Sequence, residues 1–231
     1  MRVHVRGQMG VQLMQAFVGI GRLADDETPI IVVNSGGGVP GAKTSQLHWV
    51  TDPQCEIRED HDGVRKTPYW HQGAASIAFN NRERVMRYLP LQDRASHLLG
   101  GIVLHARGGD KTVASVDTYR MLLDIAKSNH PEEHITILSD SPDLLDALRP
   151  PSEDVNVTPP EDDWYHILGA SHVYCAPSAF VTSTLLYDPN KHVTYIGPEY
   201  CDGTYPAIAD DFVFIDESHK FCPNLRVLRK G

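Results

Sequence analysis

The chain contains 231 residues, of which 41% are hydrophobic and 22% are charged, and its formal net charge at pH 7 is −9. This length and composition are typical of a soluble globular protein with a sizeable core, arranged as one large domain or two small ones. The negative charge disfavours a general nucleic-acid or anionic-membrane binder, because such proteins present a basic surface.

Cysteine and histidine spacing indicates neither a disulfide framework nor a metal site. The cysteines are widely spaced and form no CxxC pair, which favours buried free thiols at Cys55, Cys175, Cys201 and Cys222. The twelve histidines show no HExxH or HxH spacing, so no metal site is predicted. No apolar run reaches transmembrane length and the start lacks a signal-peptide pattern, so a cytoplasmic protein without a transmembrane segment is expected.

The first stretch of the chain follows the order strand, glycine loop, helix, strand. Residues 2–6 alternate as a strand does, and residues 7–10 form a glycine loop. Residues 11–24 carry a wide apolar face that predicts a helix, and Ile30–Asn34 predicts a second, buried strand. This arrangement offers the backbone N–H groups at a helix start to an anion or a sugar.

Residues 35–100 are harder to interpret. Residues 35–44 contain glycines with the separation of a phosphate-binding P-loop, but Ala42 adds a residue before the lysine, so a loop over a cleft is preferred. Residues 45–75 are polar and irregular, and a solvated loop is predicted there. Residues 76–99 have a helical pattern, which Pro90 is expected to break into two pieces.

The most informative stretch is Gly-Ile-Val-Leu-His-Ala-Arg-Gly-Gly-Asp at 101–110. Its apolar start predicts a buried strand, and strand alternation places His105 and Arg107 on one side at the C-terminal end. Asp110 is positioned to cap the following helix or to brace the loop. The planar fork of Arg suits a phosphate, so an anionic ligand is predicted, with an ordinary strand-to-helix turn as the alternative.

Predicted strands and helices alternate from residue 101 to residue 196. Strands are predicted at 134–140, 155–157, 173–175 and 193–196, and helices at 118–128, 142–148, 162–170 and from 177 onwards. This alternation predicts a parallel doubly wound sheet, whose ligands bind outside the C-terminal ends of the strands. The candidate site residues at these ends are His105, Arg107, Ser139, Asp140, Ser178, Ala179 and Phe180.

Several stretches together resemble the fucosyltransferases that carry an H-x-R-x-G-D motif, most closely the α-1,2-fucosyltransferase family. Residues 105–110 are similar to its H-x-R-R-G-D, and residues 138–142 to its F-S-D-D-P. Residues 163–180 are similar to D-x-x-L-M-x-x-C-x-x-x-I-x-x-N-S-(ST)-F, and residues 188–193 to N-P-N-K-x-(VI). The start of the family, G-x-G-N-Q-x-F-Q, resembles residues 7–15.

The resemblance implies a GT-B-like α/β architecture of two facing Rossmann-like halves. A small, reduced acceptor-side domain is implied at 1–99 and a donor-binding domain at 100–231. The implied reaction is an inverting transfer of fucose from GDP-fucose to a glycan hydroxyl, without a metal or another cofactor. The implied partners are therefore a nucleotide sugar and a glycan acceptor, with no nucleic acid.

The same resemblance implies roles for individual residues. Arg107 and His105 are the implied catalytic residues, in contact with the donor diphosphate, where the charge on the leaving GDP is stabilised. The other implied donor-binding residues are Gly7, Gln8, Gly10, Asp140, Ser178, Ala179 and Phe180. A general base for the acceptor is expected from the N-terminal half, with candidates Glu56, Glu59, Asp60, His61, Asp62 and His71.

Two other function classes remain open. A non-catalytic or differently specific nucleotide-sugar or glycan-binding module of the same fold is the first, because Val11 stands where the family has Asn and the segment 25–100 is short. A metal-dependent hydrolase that uses the acidic stretch 56–62 is the second, although that stretch lacks paired ligand spacing.

Overall fold

The structure is a computed structural model that describes residues 1–34, 45–61, 67–68, 71–93, 100–108, 113–148, 160–201 and 208–230. Within these residues the fold is mixed α/β, with two sheets whose strands are all parallel, which confirms the predicted α/β class. Three predicted features lie outside the described residues, namely the P-loop-like stretch 35–44, the strand at 155–157 and the cap at Asp110.

The first sheet contains three strands in the order β1 (Arg2–Val5), β2 (Ile30–Asn34) and β3 (Glu56–Asp60). Helix α1 (Met9–Gly21) lies between β1 and β2 in the chain, and most of its residues are buried. The strand β3 shows that the solvated loop predicted across 45–75 is wrong for this segment. Its sequence Glu-Ile-Arg-Glu-Asp places one apolar residue on a sheet edge, so it lacks the alternation that identifies a strand.

The helical segment predicted at 76–99 contains two short helices, α2 (Ala74–Asn80) and α3 (Arg82–Tyr88). One break lies at Asn81, which was not predicted, and α3 ends at Tyr88, shortly before Pro90. The helical piece predicted after Pro90 falls mostly on residues 94–99, which lie outside the described residues. The Asn81 side-chain amide donates a hydrogen bond of 2.9 Å to a carbonyl of α2. Asparagine interrupts helices in this way because its side chain competes for backbone hydrogen bonds.

The second sheet contains five strands in the order β5 (Ile135–Leu138), β4 (Ile102–His105), β6 (His172–Cys175), β7 (His192–Ile196) and β8 (Leu225–Leu228). The helices of this part are α4 (Val116–Asn129), α5 (Pro142–Leu148), α6 (Pro160–Gly169), α7 (Ala179–Tyr187) and α8 (Ile208–Ser218). The parallel sheet predicted between 101 and 196 is therefore confirmed, whereas α8 and β8 have no counterpart among the sequence predictions.

The strand order reverses at β4. From β4 the chain adds β5 on one side and then returns to add β6 on the other side. At such a switch point a crevice opens at the C-terminal ends of the two strands, and ligands of open α/β sheets bind there. The residues that follow β4 and β6 are therefore expected to form the ligand site.

Elements of the first 93 residues pack directly on elements that surround the second sheet. Helix α1 lies against α7, where the ring of Phe17 meets the ring of Tyr187 edge-on with centroids 5.2 Å apart. The Glu217 carboxylate of α8 accepts a hydrogen bond of 3.1 Å from the backbone N–H of Gly73, which precedes α2. Buried apolar side chains from both sheets belong to one core cluster. The domain boundary after residue 99 stays a prediction.

Candidate functional site

A cavity of about 420 Å³ lies at the C-terminal end of β4, beside the N-terminal ends of α1 and α7. Small-molecule sites commonly have volumes of roughly 300–1,000 Å³. The lining residues are Gln8, Met9, Gly10, Val11, Gln46, Trp49, His105, Arg107, Ser139, Asp140, Pro142, Asp163, Ser178, Ala179 and Phe180. The structure thus brings every residue predicted to bind a donor to one cavity, except Gly7. Their binding role stays a prediction.

Two helix N-termini meet at this cavity because a glycine allows their close approach. A Cβ atom at Gly10, in the first turn of α1, would lie 2.6 Å from the backbone nitrogen of Phe180 and 2.7 Å from the carbonyl carbon of Ala179. Any side chain at Gly10 would therefore push α1 away from α7. Gly7, with a φ of +94°, makes the turn from β1 into α1. The N–H groups and positive dipole ends of two converging helices favour an anion.

Ser178 is the N-cap of α7. Its hydroxyl oxygen accepts a hydrogen bond of 3.2 Å from the N–H of Phe180, and the side chain of Ser178 is fully buried. The Thr182 hydroxyl donates a hydrogen bond of 2.8 Å to the Ser178 carbonyl. These contacts fix the first turn of α7 at the cavity wall, as a serine N-cap commonly does.

His105 is the most informative side chain of the cavity. It is 8% exposed, and its ring stacks on the ring of Phe180 with centroids 5.6 Å apart. Among the described residues, its buried Nδ1 atom has no hydrogen-bond partner. Burial, and secondarily the charge of Arg107, lowers the pKa of His105 to about 4, so the imidazole is neutral at pH 7. A buried polar atom without a partner is costly, so a ligand atom is the expected partner.

A buried tyrosine fixes the backbone that carries Arg107. Tyr119 of α4 accepts a hydrogen bond of 3.0 Å from the Arg107 N–H and donates its hydroxyl proton to the Arg107 carbonyl at 3.1 Å. Burial raises the pKa of Tyr119, so the hydroxyl keeps the proton that it donates. Sequence reasoning assigns Tyr119 no role at the site, because no motif marks a side chain that acts on a distant backbone.

Asp140 joins the end of β5 to the loop that follows β4. Its Oδ1 atom accepts a hydrogen bond of 2.9 Å from the N–H of Gly108. A Cβ atom at Gly108 would lie 2.8 Å from the Leu144 side chain and 2.9 Å from the Ser141 Cβ atom. A larger residue at position 108, where the H-x-R-R-G-D motif has its second arginine, would therefore require Leu144 and Ser141 to shift.

Two buried glutamines of α1 form hydrogen bonds to the backbone of the segments next to its N-terminal end. Sequence reasoning assigns them no role. Gln12 donates a hydrogen bond of 2.8 Å to the Gly7 carbonyl and accepts one of 3.0 Å from the Gln46 N–H. Gln15 accepts a hydrogen bond of 2.6 Å from the Arg6 N–H. Both side chains are almost completely buried. Two glutamines on a helix otherwise rich in apolar residues are the signal that could have identified them, because buried amides require partners.

The five general-base candidates that the structure describes do not line the cavity. Glu56 pairs with Arg58 on the exposed edge strand β3, and the carboxylate of Glu59 accepts a hydrogen bond of 3.3 Å from the N–H of Ser45. Asp60, His61 and His71 are likewise absent from the lining, and Asp62 lies outside the described residues. The lining carboxylates are those of Asp140 and Asp163. Sequence reasoning assigns Asp163 no role of its own, although it opens both a predicted helix and the motif at 163–180.

Three general features of the molecule bear on its chemistry. In the part of the chain that the structure describes, no group of three or more His, Cys, Asp or Glu side chains is arranged to hold a metal ion. All four cysteines are free thiols, as predicted, but the predicted burial is confirmed only for Cys175 and Cys222, because Cys55 and Cys201 are partly exposed. None of the helices among the described residues is long and apolar enough to cross a membrane.

Comparisons with known proteins leave the function to be inferred from the site itself. No family model matches the chain, and neither the curated proteins nor the solved structures contain a match to it. The resemblance to fucosyltransferases stays a prediction that depends on the quoted motifs. Any functional conclusion therefore depends on the geometry of the cavity.

Proposed function

We propose that this protein is a metal-independent, inverting glycosyltransferase that transfers fucose from GDP-fucose to a glycan hydroxyl on a GT-B-like fold. One observation carries the proposal. At the switch point of a parallel sheet, Arg107, the unpartnered Nδ1 of His105 and the N-termini of α1 and α7 adjoin one cavity. Each of these features favours an anion, and a nucleoside diphosphate is an anion that the volume of the cavity suits.

Arg107 is the main charged contact in this proposal. Its guanidinium offers two parallel hydrogen bonds to phosphate oxygens, which an ammonium group cannot reproduce. In the absence of ligand His105 is neutral at pH 7 because its pKa is about 4, so it meets the diphosphate as an uncharged ring that can donate a hydrogen bond from a ring N–H. Arg107 and the helix N-termini then supply the positive potential that a divalent cation supplies in other transferases.

The proposed reaction exchanges one bond at the anomeric carbon and transfers one proton. The oxygen of the acceptor hydroxyl attacks the anomeric carbon, while the bond from that carbon to the diphosphate oxygen breaks and GDP leaves with the electron pair. The acceptor proton passes to a carboxylate of the lining. The lining carboxylates are Asp140, which accepts from the Gly108 N–H and so braces the loop that carries Arg107, and Asp163 at the start of α6. Within this proposal Asp140 keeps that structural role and Asp163 is the base. Asp163 thus replaces the candidates of the 54–75 segment.

A second candidate function is a module that binds a nucleotide sugar without turnover. The observation that favours it is the composition of the wall formed by the first 93 residues. Among the described residues, this wall contains neither a carboxylate nor a histidine. The proposed base therefore belongs to the same half of the molecule as the donor site.

Calorimetry with nucleotides tests the proposal. GDP should bind to the protein, and UDP and ADP should bind more weakly. The variant Arg107→Ala should stay folded and lose about a hundredfold in GDP affinity, since hydrogen bonds to charged groups are worth roughly 1.5–3 kcal/mol each. Arg87→Ala is the matched control, because Arg87 is an exposed arginine of α3 that does not line the cavity. Unchanged GDP affinity in a folded Arg107→Ala protein would contradict the proposal.

Donor hydrolysis and transfer assays then separate the two candidate functions. An enzyme should release GDP from GDP-fucose, faster when an acceptor is present, and EDTA should leave this rate unchanged. A binding module should bind GDP-fucose and release no GDP. Activity that EDTA abolishes and Mn²⁺ or Mg²⁺ restores would point to a different, metal-dependent transferase.

A further inference from the structure

The two walls of the cavity differ in charge. The described residues that line it from the first 93 positions are Gln8, Met9, Gly10, Val11, Gln46 and Trp49, and none of them has an ionisable side chain. The ionisable lining residues come from the second sheet and its helices, namely His105, Arg107, Asp140 and Asp163. A ligand that fills the cavity therefore places its charged part on one wall and a neutral part on the other.

We infer that Trp49 is the platform on which the neutral sugar ring of the acceptor lies, an inference that rests on the proposed function. Trp49 ends the short 3-10 helix Leu47–Trp49, and it is partly exposed at the cavity wall. The C–H face of a pyranose ring is apolar whereas its rim carries hydroxyls. An indole ring matches the apolar face, and its large rigid surface is immobilised at low entropic cost.

The backbone on both sides of Trp49 is fixed by buried contacts. Leu47, Val50 and Thr51 are fully buried, and the Thr51 hydroxyl donates a hydrogen bond of 2.8 Å to the Leu47 carbonyl. The Tyr165 hydroxyl of α6 donates a hydrogen bond of 2.7 Å to the Val50 carbonyl. Trp49 is therefore held on a rigid segment and needs little reordering to accept a ring, which favours binding.

Gln12 is the positioning residue for this wall. Its fully buried amide donates to the Gly7 carbonyl at 2.8 Å and accepts from the Gln46 N–H at 3.0 Å. One side chain thus ties the loop before α1 to the residue that precedes the 3-10 helix. The platform and the N-terminus of α1 are consequently held in a fixed relation to each other.

A sugar fits the Trp49 wall better than the base of the nucleotide does. A nucleobase presents ring N–H and amino groups that require acceptors when they are buried. The carboxylate that could accept from them near the end of β5 is that of Asp140, on the charged wall. The neutral wall therefore suits the part of the substrate pair that carries hydroxyls and no charge.

Fluorescence of the intact protein tests this inference without measuring turnover. The chain contains three tryptophans, and one of them, Trp164, is fully buried. The probes are the methyl glycosides of glucose, galactose and mannose, added to the protein in the presence of saturating GDP. At least one glycoside should change the tryptophan emission, and Trp49→Phe should abolish that change.

Affinities of the variants separate a sugar platform from other roles. Trp49→Ala should bind the active glycoside about tenfold more weakly, and Trp49→Phe should recover part of the loss, since an aromatic ring contact is worth roughly 0.5–1.5 kcal/mol. Both variants should bind GDP as the parent protein does. The matched control is Tyr88→Ala, because Tyr88 is a partly buried aromatic residue that does not line the cavity.

The variant Gln12→Met tests the positioning role. It should shift the Trp49 emission to longer wavelength and weaken glycoside binding, with GDP binding retained. If Gln12→Met does not fold, the Trp49 variants still decide whether the platform exists.

The outcomes distinguish this inference from the proposed function. If the protein binds GDP and no glycoside changes the Trp49 emission, the inference is wrong and the proposed function stands. If Trp49→Ala weakens GDP binding as much as Arg107→Ala does, Trp49 stacks on the nucleobase and the inference is again wrong. If the parent protein does not bind GDP, the proposed function fails, whereas a glycoside response that depends on Trp49 would still support a sugar site on this wall.

Discussion

His105 and His172 lie at opposite ends of two paired strands, β4 and β6. Burial lowers the pKa of both side chains to about 4. The Nε2 atom of His172 is hydrogen-bonded to the Thr194 hydroxyl at 2.8 Å, and its ring stacks on Tyr174 with centroids 4.4 Å apart. The Nδ1 atom of His105 has no partner among the described residues and adjoins the cavity. A lowered pKa thus reports burial in both histidines, and what distinguishes His105 is that its unpartnered nitrogen adjoins the cavity.

The neighbours of the two histidines support the same distinction. The ring of His172 lies 5.3 Å from that of His130 and 5.7 Å from that of His192, and His130 in turn contacts the Tyr174 hydroxyl at 3.2 Å. At the N-terminal end of the sheet, His172 and His130 thus have polar partners in Thr194 and Tyr174 and pack ring against ring. At the C-terminal end, the side chains converge on a cavity. Variants at both ends of the sheet test this contrast, and the largest effect is expected for a carboxylate of the cavity.

Removal of the Asp163 carboxylate should have the largest effect on turnover. We expect Asp163→Asn to lower kcat with GDP-fucose and a glycan acceptor by about 10²–10⁴-fold, the usual contribution of a general base. GDP affinity should stay unchanged, because the carboxylate acts on the acceptor. Steady-state kinetics and calorimetry provide the two measurements.

The neighbouring carboxylate provides the control for this variant. Asp162 precedes Asp163 in α6 but does not line the cavity, so Asp162→Asn should keep the parent kcat. If Asp163→Asn also keeps it, a protein base is unnecessary. The departing diphosphate would then take the acceptor proton itself.

Replacement of Arg107 by lysine should have the next largest effect, which is on GDP affinity. Arg107→Lys keeps the charge but loses the planar fork, so we expect GDP affinity about tenfold below that of the parent and above that of Arg107→Ala. Calorimetry of the three proteins at one ionic strength gives this ranking. Equal affinities for the lysine variant and the parent would mean that Arg107 acts as a point charge and makes no paired contact.

The charged wall of the cavity was the part of the site that the sequence could predict. Arg107 and His105 follow a short apolar strand with two glycines after them, and the alternation of strands and helices predicts where that strand ends. Ser178 lies at a comparable strand-to-helix junction. Local pattern was sufficient for these residues because their position depends only on the strand or helix that carries them.

The neutral wall could not be predicted in the same way. Trp49 reaches the cavity because the 3-10 helix is tied to Gln12 and Tyr165, and both contacts join residues that are distant in sequence. The strand β3 was missed for a related reason, since its edge position makes its polar sequence acceptable only after the sheet has formed. Tertiary contacts and not local pattern determine this half of the site.

Removal of each histidine should distinguish the two ends of the sheet directly. We expect His105→Ala to weaken GDP binding by roughly tenfold, the scale of one lost hydrogen bond to a charged group. His172→Ala should leave GDP affinity unchanged, because its hydrogen bond to Thr194 lies at the far end of the sheet. Calorimetry measures both affinities, and thermal unfolding checks that both variants are folded. A similar loss of GDP affinity in both variants would remove the contrast between the two histidines.

The last expected effect is a change in how the stability of the fold depends on pH. The folded-state pKa of about 4 for His105 and for His172 is below the ordinary value of 6.5 that applies in the unfolded chain. Between these values the unfolded chain binds more protons than the folded protein does. The free energy of unfolding therefore falls as the pH drops from about 6.5 towards 4, and urea unfolding at pH 7 and at pH 5 should show this loss.

Saturating GDP should reduce only the part of this pH dependence that belongs to His105. The diphosphate is expected to contact His105, and a nearby negative charge raises the pKa of a histidine, so the bound imidazole accepts a proton more readily. With GDP, the stability lost between pH 7 and pH 5 should therefore be smaller in the parent protein and in His172→Ala. In His105→Ala the loss should be the same with and without GDP. If GDP reduces the loss equally in His105→Ala, the diphosphate acts on another titrating group and His105 does not contact it.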